Sequence, residues 1–285
     1  MTTDTAKTSL GLALPALGLN AFLFILPLGY FFVVSFLQVK AYQIALSPTF
    51  GNYARALREY PDALLSTLGL AFIVAILVTL LGLAYALACR FLKESWGNLL
   101  LAIALITLFG GYLAKLYAWR TILGGNGIVN SGLMELGLIG EPITALLYND
   151  FAVILALTHY TLPLAILPIY GALKAVDDLP IAAARDLGAS GWRVFCDIVL
   201  PQCAQGLFSA FALTLLFVAG DAIAPRLLGG TSSTMIGVFI QNQFGFRVNA
   251  PLGSALAFTM IAGSALILIA VAFLGNRALR PRSAL

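Results

Sequence analysis

Of 285 residues, 61% are apolar and 10% are charged, with a formal net charge of +4. A water-soluble domain, in which roughly a quarter of residues are charged, is excluded, and a small positive balance scattered along the chain leaves no nucleic-acid footprint. Lipid is the remaining solvent, and a helix needs about 20 consecutive apolar residues to cross it.

Six windows bounded by ionisable residues are long enough: Lys7 to Lys40, Asp62 to Arg90, Glu94 to Lys115, Asp150 to Lys174, Asp197 to Asp221 and Arg247 to Arg277. They predict spans over roughly 11–37, 63–89, 96–118, 151–173, 206–226 and 253–276. The first window is too long for a signal-peptide core and is expected to persist as an anchor. Between the first two spans, an amphipathic piece from Asn52 to Tyr60 predicts a short helix along the membrane interface. The stretch from Leu227 to Phe246 contains Gly229-Gly230-Thr231-Ser232-Ser233-Thr234 and Gln241-Asn242-Gln243, too many polar groups for lipid, and reads as a loop with a re-entrant or interfacial piece.

Six spans place both termini on one side. If that side is the cytoplasm, inner segments carry nine basic residues, including Arg277, Arg280 and Arg282, against six in the outer ones. The asymmetry favours cytoplasmic termini. The expected organisation is a tail at 1–10, one membrane domain over 11–276 and a tail at 277–285. Cys89, Cys196 and Cys203 show no metal-ligand spacing and read as small apolar residues.

The inner connection at 174–205 parses as helix, turn, helix. Asp178 is placed to cap the first helix, Pro180 fits its first turn, and Gly188 suits a left-handed residue that stops it. Trp192, Phe195 and Val199 recur at helical spacing and predict an apolar face on the second piece, and Pro201 marks the passage to the next span. An Ala-rich short helix with few charges suits another protein's groove as a coupling element, or it lies on the membrane. Physical reasoning alone leaves both open.

The segment Ala183-Ala184 … Gly188 … Phe195 … Ile198, Leu200-Pro201 resembles the cytoplasmic loop signature of binding-protein-dependent ABC importer permeases. The run over 183–190 is similar to the version in spermidine/putrescine-type permeases. The usual leading Glu is Ala182 here. Lys115-Leu-Tyr-Ala-Trp119 with the Gly-Asn loop up to Asn130, and Gly220-Asp221 to Pro225 with Leu227 to Gly230, resemble the third- and fifth-span exits of the same group.

The resemblance implies an all-α membrane protein of six transmembrane helices, the type I ABC importer permease fold, with a cytoplasmic coupling helix. It implies a bacterial inner-membrane location, two ATPase subunits as partners, a second homologous permease, and a periplasmic or surface solute-binding protein. The coupling residues would be Ala182, Ala183, Ala184, Arg185, Asp186, Leu187, Gly188, Ala189 and Ser190. No phosphate-binding Gly-x-x-x-x-Gly-Lys-Ser/Thr motif is present, so ATP and Mg are expected on the ATPase partner, and this chain holds no cofactor and catalyses nothing itself.

Candidates for the solute pathway are Tyr112, Lys115, Trp119, His159 and Asp221. Charges at Lys115 and Asp221 must face protein, water or each other, and Asp221 is a candidate partner for a polyamine or similar organic cation. Each also has a structural reading: for Asp221 an ion pair with Lys115 or Arg226, or snorkelling ends for these charges, an interfacial aromatic belt for Tyr112, Tyr117 and Trp119, an interhelical hydrogen bond for His159. The competing functions are a membrane-embedded enzyme, for which paired acid, base or metal groups are missing, a secondary transporter or channel, and an importer of iron, opines or oxyanions.

Overall fold

The computed structural model describes residue 15 and residues 18–40, 43–230 and 235–278. Lys7, Arg280 and Arg282 of the predicted tails, the start of the first predicted span and the polar run at 231–234 lie outside the described residues. The chain groups into two units, the described residues of Met1–Pro61 with Phe239–Thr259, and those of Asp62–Val238 with Met260–Leu285.

In the first unit, helix α1 (Leu26–Ser35) continues a π-helical turn over Ala21–Ile25, and Gly18–Ser35 is apolar enough to cross a membrane. Its end is satisfied from helix α2 (Gly51–Glu59). Asn52 Nδ2 donates to the carbonyls of Ser35 and Leu37 at 2.9 and 2.7 Å, so helix-end acceptors that lipid could not satisfy are paired. Between them, β1 (Gln38–Lys40) pairs antiparallel with β2 (Gln43–Ala45), with Val39 opposite Ile44. This hairpin adds to the predicted all-helical reading, because three-residue strands are too short to show alternation. On α2, Arg55 donates two hydrogen bonds to Glu59, and that contact holds the Glu59 carboxyl below its ordinary range. Edge-on ring contacts join Phe31 with Phe244 and Phe32 with Phe258 in this unit. The buried Gln243 donates to the Tyr60 hydroxyl at 3.1 Å.

The second unit contains α3 (Pro61–Phe91, from Asp62 on), α4 (Glu94–Leu108), α5 (Tyr112–Leu123), α6 (Ile128–Glu135), α7 (Asp150–Lys174), α8 (Asp178–Asp186), α9 (Gly191–Val194), α10 (Leu200–Gln202), α11 (Ala204–Ala219) and α12 (Ile223–Leu228). Residues of α13 (Ile236–Gly245) and α14 (Ala250–Ala278) are divided between the units. α7 packs along α11 around Leu157, Ile166, Ile169 and Leu215, all fully buried. Lipid provides no hydrophobic drive between helices, so close approach through small residues must hold them. Gly206 supplies it: a Cβ there would lie 2.6 Å from the Ala172 Cβ and 2.7 Å from the Pro168 carbonyl oxygen.

Among the described residues, Gly18–Ser35, α3, α7 and Ala250–Gly275 are long and apolar enough to span, and two bent helix pairs bring the number to six. The bends revise the predicted spans. The third, predicted unbroken over 96–118, stops at Leu108, and Tyr112–Glu135 leaves at 96° to it. Gly110-Gly111 explains the stop, since paired glycines disfavour helix continuation. The fifth, predicted over 206–226, ends at Ala219, and the separate helix α12 begins at Ile223, two residues after Asp221. Ahead of it, Gly191–Gln202 meets Ala204–Ala219 at 65° just past Pro201.

Candidate functional site

The loop predicted to carry coupling folds from local signals. Gly188 has φ of +80°, and its N–H donates to the Arg185 carbonyl while Ala189 N–H reaches Ala184, a Schellman closure of α8. Ser190 starts α9, its hydroxyl accepting from Arg193 N–H at 3.4 Å. Two details differ from the sequence reading. Asp177, not Asp178, occupies the N-cap of α8, and its side chain makes no capping bond, while Asp178 sits in the first turn and bonds Arg90. Trp192 is 73% exposed and packs against the half-buried Phe195, so of the three predicted residues Val199 is buried, and Val194 joins it on the buried face. A π-helical turn over Phe195–Val199 shifts the α-helical register on which that prediction depended.

Across α8 only Ile181 is buried. Ala182 and Ala183 face out beside Arg185, Asp186 and Leu187, with Ala184 partly covered. Leu179 and Leu187 are 80% and 89% exposed. Small backbone-like steps flanked by large apolar side chains form a surface that water does not reward.

The second group of candidates lies where α4 breaks. Lys115 Nζ donates to the Thr107 carbonyl at 2.6 Å and sits 5.1 Å from the Tyr160 ring centroid. A cation at a helix C-terminus satisfies freed carbonyls and complements the dipole, so the break and Lys115 explain each other. Tyr112, Tyr160 and Phe217 form a three-ring cluster with centroids 4.5, 5.0 and 5.8 Å apart. Trp119 Nε1 donates to His159 Nδ1 at 3.1 Å, which joins α5 to α7 and makes Nδ1 the unprotonated nitrogen.

Asp221 is 8% exposed. Its Oδ1 accepts from Ile223 N–H at 3.3 Å and its Oδ2 from Ala224 N–H at 2.9 Å. The carboxylate therefore caps α12 and forms no ion pair with Lys115, which corrects one structural reading of that pair. Tyr112 is their common neighbour: its ring meets Tyr160, and its buried hydroxyl lies beside the Asp221 carboxylate and the Ala224 N–H without completing a hydrogen bond. Tyr160, Phe217 and the Arg90–Asp178 contact belong to these sites without having been singled out in the sequence. Nothing local marks them, since each matters through a residue far away in the chain.

Residues 98–284, about two thirds of the chain, match the family of binding-protein-dependent transport system inner membrane components. The chain belongs to that family, and is thus an ABC importer permease, a multi-pass inner-membrane transport subunit with the type I fold. It is 30% identical to the spermidine/putrescine transport system permease protein PotB of Haemophilus influenzae, over 77% of each chain. Against PotB of Escherichia coli (strain K12) the identity is 30%, over 78% of this chain and 80% of the other. A bacterial alginate ABC transporter, solved with its pentasaccharide-bound periplasmic protein, shares the fold at a TM-score of 0.71 and 15% identity, covering 99% of this chain and 98% of that one. The MetNI methionine transporter in an inward-facing form does so at 0.54 and 19%, covering 77% and 94%.

Proposed function

We propose that this chain forms half of the translocation pathway for a polyamine or similar organic cation. An external binding protein delivers the solute, a second permease completes the pathway, and two ATPase subunits, which hold ATP and Mg, drive the movement. The observation that carries the reading is the geometry of α8: a rigidly stopped helix that buries Ile181 alone and presents Leu179, Ala182, Ala183 and Leu187 outward. Such a surface fits the groove of a partner, and ATP-driven closure of that partner would rock the spans between two arrangements. Ala182 in place of the usual Glu leaves the contact apolar, held by packing more than by charge.

The basic asymmetry supports cytoplasmic termini and a cytoplasmic α8. Identity of about 30% to spermidine/putrescine permeases supports the cation class. The three-ring cluster of Tyr112, Tyr160 and Phe217 is compatible with it, since aromatic faces attract ammonium groups. The test is uptake of radiolabelled spermidine and putrescine in cells deleted for this chain and in cells with it restored. Loss and recovery of polyamine uptake is the expected result, and unchanged polyamine uptake in the deleted cells overturns the substrate class.

A further inference from the structure

Where α3 ends, its last turn holds Arg90, and the first turn of α8 holds Asp178. Arg90 Nη2 donates to Asp178 Oδ1 at 2.6 Å across 88 positions of sequence. Arg55–Glu59 and Arg193–Asp197 differ in kind, since each links residues four apart on one helical stretch and ties no second element. Both charges of the long-range pair sit where helix dipoles favour them, a cation at a C-terminus and an anion at an N-terminus.

Beside this bridge the packing is incomplete. A cavity of about 280 Å³ opens between Leu87 and Phe91 of α3 and Ile181, Val194 and Val199 of the loop. Close-packed interiors transmit strain, and this cleft, open to the surface, interrupts such packing over part of the contact between α3 and the loop. A displacement of α8 therefore reaches α3 through the ion pair more directly than through side-chain packing. Nor can α3 yield alone: the Tyr85 hydroxyl donates to the Leu100 carbonyl at 2.6 Å and ties α3 to α4.

We propose that Arg90 and Asp178 are positioning residues that act as a strut, carrying the motion of α8 into α3 and α4 so that ATP hydrolysis on the partner is converted into helix movement. The strut rests on the reading of α8 as the ATPase-docking helix. Because the Asp178 side chain is 75% exposed, the pair contributes little to folding, which makes its removal a clean probe of coupling.

The experiment uses the chain assembled with its ATPase, second permease and binding protein in proteoliposomes. Arg90→Gln and Asp178→Asn are expected to keep the ATPase bound and hydrolysing while solute moved per ATP falls about fivefold or more. Exchanging the charges, Arg90→Asp with Asp178→Arg, is expected to recover much of the loss but not all, since each charge then opposes its helix dipole. Single variants with wild-type transport per ATP, or an exchanged pair as poor as the single changes, overturn the strut. Leu187→Glu separates the strut from the reading beneath it. It is expected to strip the ATPase from the complex, and an intact complex with normal uptake overturns the docking reading and the strut with it.

Discussion

The α8 loop and the Lys115–Asp221 region were both marked by short motifs, yet they hold their polar groups in different ways. In the loop, the turn signals act on atoms a few positions away, Gly188 on Arg185, Ser190 on Arg193, Ala189 on Ala184, while Asp178 reaches Arg90 in α3. In the other region, Lys115 reaches back over a helix break to Thr107 and across to Tyr160, and Tyr112 lies against Asp221. Local chemistry makes a firmly stopped helix, on the proposed function the surface that an ATPase pushes, whereas distant chemistry makes a junction whose parts are held by different helices. On the proposed function the first must be stiff and the second must rearrange, and the two patterns of bonding are compatible with those needs.

Three measurements break or sharpen this contrast. The largest effect concerns which side of the membrane the loop occupies. With Cys196 replaced by Ala, a cysteine introduced as Leu187→Cys, at a site 89% exposed, is expected to escape an impermeant thiol reagent in intact cells and to react fully once the membrane is opened. Reaction in intact cells would reverse the topology and remove the loop from any contact with an ATPase.

Next is Gly188→Leu. A φ of +80° costs a bulky residue about 1 kcal/mol or more. Nothing lies within 4 Å of the missing Cβ, so the change acts through backbone strain at this turn and not through a clash at Cβ. Inserted protein at near-normal amounts with lost solute uptake is the expected outcome. Normal uptake would show that the left-handed turn has no part in coupling.

The smallest effect separates the roles of Asp221. Asp221→Ala leaves the N–H groups of Ile223 and Ala224 without their acceptor and is expected to lower stability by about 1–2 kcal/mol. Asp221→Asn keeps one acceptor oxygen, and so one of the two bonds, and is expected to cost less than the alanine change. Thermal unfolding of the purified protein in detergent, alongside uptake, decides between cap and solute contact. If Asp221→Asn loses uptake at unchanged stability, the carboxylate charge acts on the solute and capping is not its main task. Lys115→Met offers no rescue in either case, because Lys115 bonds the Thr107 carbonyl and not Asp221.

Counting charge-free windows found the stretches that form, among the described residues, four spanning helices and two bent helix pairs, because lipid imposes a length and an absence of charge that can be read along the sequence. The same is true of the α8 turn, where Gly188 and Ser190 act within their own neighbourhood. Tertiary structure decided the rest. Whether Gly110-Gly111 turns the third span through 96°, whether Asp221 meets Lys115 or the amides of α12, and that Arg90 meets Asp178 all depend on which helices become neighbours. Neighbouring helices are chosen by packing over the whole surface, through contacts such as Gly206 against Ala172 and Pro168, and no short stretch of sequence contains both sides of such a contact.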